Sequence, residues 1–311
     1  MASVSEALDE ARGRFDGLPR NLRASILVIL AFVTFGGMAV MLRTLNGAIP
    51  VVEIIFIRQF AALVMLAPVY ARYWSEIRTP RRLSLHLMRG VTATGAMFCG
   101  LSAIILIPLV DVTAINMTEV LFSTAFAALL LKEKVSRAQW IAALVGFVGV
   151  MIMMRPFVGG FSWGSTLALG GAICGALSMV AIRLGAHHDR VETVTFWQGL
   201  VVMAIVTPLA LLSWVTPNLD QALLLALMSI AFAAGQWLFT AGLRMGDAAA
   251  VAPLGYVRLL LMSTLGWLLY AEIPSWATAF GALLVMSSAI FTIRNNARRK
   301  AETVASAETQ P

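Results

Sequence analysis

Two charged residues, Arg258 and Glu119, lie well inside long apolar runs of this sequence. A charge near the middle of a membrane costs about 2.5–3.5 kcal/mol or more, so such a residue usually faces a cavity or a partner and has a function. A guanidinium can bind a carboxylate or a phosphate through two parallel hydrogen bonds. A buried glutamate can pair with a cation or carry a proton. The two residues therefore predict a polar site inside a membrane protein.

The two charges occupy the same position in two related segments. One segment is AAVAPLGYVRLLLMSTLGWLLYAE, which ends at Glu272, and the other is AINMTEVLFSTAFAALLLKE, which ends at Glu133. Counting back fourteen positions from the final glutamate reaches Arg258 in one copy and Glu119 in the other. The repeat therefore puts opposite charges at equivalent positions.

The composition excludes an ordinary soluble protein. Of 311 residues, 59% are hydrophobic and 13% are charged, whereas soluble domains are about 45–50% apolar and about 25% charged. The apolar residues form runs of roughly 18–22, each long enough to cross a bilayer as a helix. The two cysteines, Cys99 and Cys174, lie inside such runs, so a disulfide framework is not expected.

We predict ten membrane-spanning helices, and the basic residues indicate their orientation. Lys and Arg outside the spans sort almost entirely to one side, and the other side has only Arg43 and Arg155. By the positive-inside rule, both termini are cytoplasmic, and we expect a bacterial inner-membrane location. The net charge of +7 then reflects topology rather than nucleic-acid binding. The predicted spans are 24–42, 51–70, 87–107, 112–131, 137–154, 164–184, 192–213, 222–243, 248–270 and 275–293.

The two related segments point in opposite directions across the membrane. Glu133 lies in a turn on the basic side and Glu272 in a turn on the other side, which is typical of an inverted-topology repeat. A second alignment, of PVVEIIFIRQFAALVMLAP with ETVTFWQGLVVMAIVTP, makes Arg58 equivalent to Gln198. We therefore expect an all-α polytopic fold of two inverted five-helix repeats. The expected divisions are a cytoplasmic tail at 1–23, a first repeat at 24–155, a second repeat at 164–294 and a cytoplasmic tail at 295–311.

The sequence resembles the drug/metabolite transporter superfamily, EamA type. The likeness rests on PLGYVRLLLMSTLGWLLYAEIP in the second half and LFSTAFAALLLKEKVSRAQWIAALVGFVGV in the first. Its most specific part is the Pro-x-x-Tyr-x-Arg pattern of Pro253, Tyr256 and Arg258. The resemblance implies a secondary transporter with a central cavity between two inverted halves. It also implies the bacterial branch that includes S-adenosylmethionine, riboflavin and amino-acid transporters.

A secondary transporter binds its substrate near the bilayer midplane, where the two repeats meet. Arg258 either binds a substrate anion there or forms a permanent ion pair with Glu119, and a pair that an incoming carboxylate breaks would combine both roles. Glu119 is also the candidate for a coupling proton or for binding a substrate cation. The expected substrate-binding residues are Arg258, Tyr256, Glu119, Asn116, Arg58, Phe98 and Trp237.

Several of these residues have an alternative, structural interpretation. For Phe98 and Trp237 the alternative is packing or a position facing lipid. Glu53 and Arg58 are five residues apart and point about 140° away from each other on a helix, so we do not expect them to pair. Glu53, nearer the membrane edge, is expected in water, and Arg89 is expected to extend to the lipid headgroups.

The expected function is ATP-independent transport of a small polar or zwitterionic metabolite by alternating access. The sequence has no GxxxxGK[ST] loop, no metal-ligand spacing and no nucleophile–base motif, so we expect no cofactor, no bound metal and no enzyme activity. The expected partners are the substrate, the bilayer and a coupling proton, and both a monomer and a homodimer fit. An uncoupled facilitator of the same fold and a non-transporting membrane sensor or scaffold are the alternative functions.

Overall fold

The computed structural model is helical throughout the part of the chain that it describes. That part comprises residues 17–45, 47–130, 137–154, 162–185, 189–245, 254–273, 275–288 and 290–291. Its helices are α1 (Arg20–Thr44), α2 (Val51–Arg72), α3 (Trp74–Ile77), α4 (Leu83–Leu106), α5 (Leu109–Asn116), α6 (Glu119–Leu130), α7 (Arg137–Met154), α8 (Trp163–Gly185), α9 (Val191–Leu212), α10 (Leu219–Met245), α11 (Leu254–Tyr270) and α12 (Trp276–Ser288).

Six of the described helices are long and apolar enough, by length and composition, to cross a membrane: α1, α2, α4, α8, α9 and α10. Shorter apolar helices lie within α7 and α11 and form α12. The chain is therefore a polytopic membrane protein. Many of its large apolar side chains are exposed at the helix surfaces, where lipid rather than water is the expected solvent.

Proline marks three helix starts. Helices α1, α2 and α5 begin directly after Pro19, Pro50 and Pro108, whose φ angles lie between −53° and −56°. Proline has no N–H to leave unbonded and its ring fixes φ, so a helix start is a favourable place for it. Pro50 and Pro108 lie in the short connections between consecutive helices.

The predicted fourth span is not one continuous helix, because it is interrupted at Met117 and Thr118 between α5 and α6. The Thr118 N–H bonds the Ile115 carbonyl oxygen at 3.0 Å, and the Thr118 hydroxyl donates to the same oxygen at 2.6 Å. A threonine hydroxyl that bonds nearby backbone competes with the helical hydrogen bonds. The interruption places Glu119 at the first position of α6.

Contacts between the two halves occur in exchanged pairs. Helix α4 packs along α8 and α10 along α1; α4 contacts α9 and α10 contacts α2; α6 contacts α8 and α11 contacts α1. Helices α1, α2, α4 and α6 can be matched in order with α8, α9, α10 and α11. When each helix is replaced by its match, the first contact of every pair becomes the second. Helices α2 and α9, each of 22 residues, also pack against each other.

The same exchange holds for individual residues that are 140 positions apart. The Phe56 and Trp214 rings meet edge-on at 6.1 Å, and the equivalent Phe196 and Trp74 rings meet edge-on at 5.6 Å. The first contact joins α2 to the loop after α9, and the second joins α9 to α3, which follows α2.

A glycine permits close approach at two equivalent helix crossings. A methyl group at Gly95 would lie 2.9 Å from the Cys174 sulfur, and one at Gly235 would overlap the Thr34 hydroxyl. Position 235 follows Gly95 by 140 residues, as Cys174 follows Thr34. Small residues at such crossings let helix backbones approach closely in a membrane.

We call the end of the bundle that carries the His86–Asp189 ion pair the basic end, because most arginines of the described loops lie there. Its contacts include that pair at 2.9 Å and the Trp197 indole N–H donating to the Ile77 carbonyl at 2.8 Å. The other end, which carries Arg43 and Glu272, is called the opposite end. Both ends therefore have polar contacts between the two halves of the chain.

Glu53 is not in water, so the expectation for this residue was wrong. Its side chain is fully buried at the opposite end, and its Oε2 accepts a hydrogen bond of 3.0 Å from the Val215 N–H. The loop after α9 folds over the start of α2 and supplies this donor. The position of Glu53 near the predicted membrane edge could not predict that this loop covers its side chain.

Candidate functional site

Glu119 lies at the interruption between α5 and α6, half-buried and against α8. A methyl group placed on Gly175 of α8 would be 3.0 Å from the Glu119 carboxyl carbon and 3.1 Å and 3.2 Å from its oxygens. The glycine therefore makes room for the carboxylate. A carboxylate at a broken helix, away from the bundle ends, is the kind of arrangement that transporters use to bind substrates and ions.

Arg258 lies in the second turn of α11 and faces α1. Its guanidinium carbon is 5.9 Å from the centre of the Phe32 ring, and its Nε is buried without a hydrogen-bond partner among the described residues. Arg258 and Glu119 attract each other electrostatically. Neither belongs to the direct salt bridges that the described residues form, which are Arg43–Glu272, His86–Asp189, Arg190–Glu76 and Arg190–Glu192. The two charges thus interact without direct contact.

Arg58 of α2 is the more deeply buried cation, with an exposed fraction of 2%. Its guanidinium carbon lies 4.0 Å from the centre of the Phe232 ring, and its Nη1 is 3.6 Å from the Met38 sulfur. Its Nε and Nη2 are buried and have no hydrogen-bond partner among the described residues. Gln198, the equivalent residue of α9, also has a buried and unbonded side-chain oxygen, Oε1.

The other predicted site residues are distributed differently. Asn116 is half-buried at the last position of α5, next to the interruption that precedes Glu119. The Phe98 and Trp237 side chains are 42% and 60% exposed at the outside of their helices. The side chain of Tyr256 lies outside the described residues. The structure thus brings Asn116, Glu119 and Arg258 to one region and leaves the two aromatic residues at the surface.

Sequence reasoning missed the residues that surround the arginines. Phe32, Met38, Phe232 and Gly175 are apolar residues in apolar helices, and no signal in their spacing marks them. Arg89, expected at the headgroups, is half-buried, and its Nε has no hydrogen-bond partner within the described part of the chain. Among the described residues no three His, Cys, Asp or Glu side chains come together as a metal site.

The arrangement can bind an anion. Arg58 and Arg258 both have unbonded N–H donors inside a bundle of apolar helices, as Arg89 has nearer the basic end, and of the first two only Arg258 is attracted by a described carboxylate. A guanidinium in an apolar environment interacts with a carboxylate more strongly than it does in water. The site is therefore suited to a ligand that carries negative charge.

A bundle of apolar helices around buried charges is typical of a membrane transporter, and the comparisons point to the same class. The sequence profile of the EamA-like transporter family matches this chain twice, over residues 22–155 and 162–294. The protein belongs to this family, within the drug/metabolite transporter branch.

Similar proteins of known role are transporters with different cargoes. The S-adenosylmethionine uptake transporter of Rickettsia prowazekii is 23% identical and aligns over 89% of this chain and 95% of its own length. The riboflavin transporter of Rhizobium johnstonii is 28% identical and aligns over 90% of this chain and 94% of its own length. The pseudopaline exporter of Pseudomonas aeruginosa is 28% identical over 85% and 94%.

One solved crystal structure has the same fold. It aligns with a TM-score of 0.60 and 22% sequence identity, covering 90% of this chain and 98% of that one. At this identity the match concerns the fold alone.

Proposed function

We propose that this protein is a secondary transporter that moves a small polar or zwitterionic metabolite across the bacterial inner membrane by alternating access. The observation that carries the proposal is that Arg58, which is buried, and Arg258, whose Nε is buried, have unbonded donors among the described residues inside an apolar bundle. A stable membrane protein gains nothing from an unpaired buried charge, so such a residue is retained for a function. The family membership supports transport as that function.

The proposed architecture is ten spans in two inverted repeats, at 24–155 and 164–294, with tails at 1–23 and 295–311 in the cytoplasm. The exchanged contacts between the halves, such as Phe56–Trp214 and Phe196–Trp74, support the repeat. The two separate matches to the family profile support the division. The concentration of arginine at one end of the bundle supports the orientation.

The substrate class follows from the site and from the relatives together. S-adenosylmethionine, riboflavin and amino acids are the candidates. Relatives of similar identity carry different cargoes in different directions. The relatives therefore narrow the substrate class to small metabolites, and the site residues must determine which small metabolite is bound.

In the proposed mechanism, Arg258 and Glu119 attract each other while the site is empty, and a substrate anion competes with Glu119 for the guanidinium. Occupancy then changes an interaction between α6 and α11, one helix from each repeat. Glu119, released from this attraction, can take a proton and so couple transport to the proton gradient. Asn116 and Tyr256 are proposed to contact the substrate beside them, and Phe98 and Trp237 to line the route if their helices rotate inward.

A ligand-panel thermal shift on the detergent-purified chain tests this proposal. Amino acids, S-adenosylmethionine, flavins and organic acids are each tested on the wild-type protein and on Arg258→Gln. Arg190→Gln, at the basic end, is the matched control. A ligand that binds only the folded protein raises the melting temperature. A shift that vanishes in Arg258→Gln alone supports substrate binding by Arg258. A shift that survives makes Arg258 the structural partner of Glu119.

Uptake into proteoliposomes separates the alternative functions. The compound found by thermal shift should accumulate above its external concentration when a pH gradient is imposed. Equilibration without accumulation would instead identify an uncoupled facilitator. Binding without any flux would identify a sensor or scaffold.

A further inference from the structure

We infer that Arg58, in addition to Arg258, binds the carboxylate group of the substrate, and that the substrate is therefore a carboxylate rather than an uncharged metabolite. This inference rests on the proposed transport function and refines its site. The inference depends on which guanidinium nitrogens of Arg58 and Arg258 lack hydrogen-bond partners among the described residues. It also depends on which carboxylates can neutralise each guanidinium.

Arg58 has no neutralising partner among the described residues. Glu53, the carboxylate nearest to it along α2, bonds the Val215 N–H and forms no ion pair with Arg58. Arg258, in contrast, has the electrostatic attraction of Glu119. A buried charge without a counter-charge is strongly unfavourable, so Arg58 is the stronger candidate to attract an incoming anion.

The free nitrogens of Arg58 have the geometry that a carboxylate requires. Nε and Nη2 form one edge of the planar guanidinium, and both are unbonded, while Nη1 on the other side contacts the Met38 sulfur. A carboxylate binds such an edge with two parallel hydrogen bonds. The Phe232 ring covers the face of the group at 4.0 Å, which holds the plane in position.

This geometry selects between the candidate substrates. S-adenosylmethionine and amino acids carry an α-carboxylate, whereas riboflavin carries none. An uncharged flavin would leave Arg58 buried and unneutralised, at an energetic cost. The structure therefore favours the amino-acid-like class.

The first test measures the protein without ligand. If Arg58 is kept for binding, removing its unneutralised charge stabilises the empty protein, and Arg58→Gln melts about 2 °C or more above wild type. A structural arginine gives the opposite result, because its replacement removes stabilising contacts. A lower melting temperature for Arg58→Gln overturns the inference.

The second test compares ligands that differ only in the carboxylate. S-adenosylmethionine is paired with its decarboxylated form, and L-methionine with L-methioninamide, at equal concentrations on the full chain. Wild type should respond only to the carboxylate member of a pair. Arg58→Gln should lose that difference, and Arg58→Lys should weaken it at least about tenfold in apparent affinity, because an ammonium cannot form the bidentate contact.

Arg89→Gln is the matched control, since it removes another arginine, half-buried and with an unbonded Nε among the described residues, and should keep the wild-type discrimination. Equal responses to both members of the pairs in wild type, or discrimination that persists in Arg58→Gln, would overturn the inference. A carboxylate that binds through Arg58 but is never moved into proteoliposomes would overturn the proposed transport function instead. The two failures are thus distinguishable.

A separate set of contacts at the opposite end carries a second inference. Arg43, in the last turn of α1, donates through Nη1 to Glu272 and through Nη2 to the Ile107 carbonyl, and its Nε donates to the Ile104 carbonyl at 2.8 Å. Glu272 in turn accepts from the Leu109 N–H at 2.8 Å. We call this set of contacts the Arg43 latch.

The Arg43 latch joins three helix ends from both halves of the chain: the end of α1, the junction of α4 and α5, and the segment after α11. The side chains of Arg43 and Glu272 are only 14% and 12% exposed. Tyr270 adds a hydrogen bond of 3.0 Å to the Val40 carbonyl and lies beneath the Arg43 guanidinium at 5.0 Å. A partly buried, fully bonded pair of this kind stabilises more than a surface ion pair does.

We propose that the Arg43 latch holds the opposite end of the transport route closed and breaks when that end opens. Gly37 provides a reporter position, because it lies six residues, about 9 Å, from Arg43 along α1, and a side chain there would meet no atom within 4 Å. Gly37→Cys is made in a chain whose Cys99 and Cys174 are replaced by alanine. A membrane-impermeant thiol reagent is then applied, in the absence of substrate, from the side of the membrane on which the opposite end lies.

Arg43→Gln and Glu272→Gln should each raise the labelling rate of Cys at position 37 about tenfold or more, since each removes charge-assisted hydrogen bonds. Asp189→Asn breaks the comparably buried ion pair of the basic end and should not raise it. An unchanged rate in both latch variants overturns the proposal, as does equal acceleration by Asp189→Asn. This readout needs no substrate, so it is independent of the transport assay.

Discussion

At the scale of single residues, the charges inside the bundle differ in how they are neutralised. Glu53 bonds a backbone N–H through Oε2 while its Oε1 has no partner among the described residues. Arg258 and Glu119 attract each other, and the described contacts of the Arg58 guanidinium are an aromatic ring and a sulfur. We therefore propose different roles for residues that look alike in the sequence. Glu119 is the proposed carboxylate that changes partners, because it attracts Arg258 without direct contact.

We expect Glu119→Gln to abolish accumulation driven by a pH gradient while exchange across the membrane continues. Glutamine keeps the size and hydrogen-bonding capacity of the side chain but cannot take up or release a proton. Proteoliposome uptake with and without the gradient measures the effect, and Glu192→Gln at the basic end is the control. Full accumulation by Glu119→Gln would remove Glu119 from the coupling mechanism.

Gly175→Ala is expected to impair the same site by a steric route. The added methyl group would be 3.0 Å from the Glu119 carboxyl carbon, so the carboxylate must move. Overpacking of this kind costs about 1–3 kcal/mol, and we expect weaker ligand binding by thermal shift. Gly170→Ala on the same helix, where the methyl group would have an ordinary contact of 3.6 Å with Cys99, should bind normally. Identical binding by the two variants would contradict this placement of Glu119.

At the scale of helices, the chain combines rigid crossings with one interrupted helix. The crossings are made by small residues, and the interruption between α5 and α6 places Glu119 at a helix start. Transporters tolerate irregular backbone at membrane depth only where it is buried in protein or lines a cavity. The interruption therefore marks the functional region more specifically than the predicted continuous span does.

The crossing of α7 with α12 gives a prediction about stability. A methyl group at Gly149 would lie 2.7 Å from the Gly281 carbonyl oxygen and 3.0 Å from the Leu284 Cβ, so Gly149→Ala should force the helices apart and lower the melting temperature. A cost of about 1–3 kcal/mol is expected. Gly100→Ala is the control, because its methyl group would meet nothing within 4 Å and helix propensity favours alanine by about 1 kcal/mol. A Gly149→Ala protein as stable as Gly100→Ala would show that this crossing is looser than described.

At the scale of the whole molecule, the two halves repeat each other's contacts in exchanged order. The Phe56–Trp214 pair joins α2 to the loop after α9, and the Phe196–Trp74 pair joins α9 to α3. The Arg43 latch and the His86–Asp189 pair likewise join the halves at opposite ends. By sequence, Arg183 and Glu133 correspond to Arg43 and Glu272, and their side chains lie outside the described residues.

The equivalence of the two aromatic pairs can be measured. Trp74→Ala and Trp214→Ala should each lower the unfolding free energy by about 0.5–1.5 kcal/mol beyond the lost burial. Their effects should add, because the two sites share no partner. Trp276→Ala, whose ring is 91% exposed, should change the melting temperature little. Strongly unequal or non-additive effects would contradict the equivalence.

The sequence by itself determined the class of protein, its helical character and which charges lie inside apolar runs. Runs of apolar residues long enough to span a bilayer form helices or parts of a barrel. The Pro-x-x-Tyr-x-Arg motif and the two related segments indicated the family. Arg58, Glu119 and Arg258 stood out because a charge in an apolar run is costly. These conclusions depend only on the local sequence, so they needed no coordinates.

Only the tertiary structure decided how each charge is neutralised and which aromatic residues surround it. It buried Glu53, put Phe232 over Arg58 and left Phe98 and Trp237 at the surface. Helical spacing gives the direction of a side chain on its own helix but not which other helix it meets. In a membrane, lipid is as apolar as the protein interior, so these helices lack the polar face that would indicate their orientation. The partners of Arg58 are therefore set by packing between helices far apart in sequence.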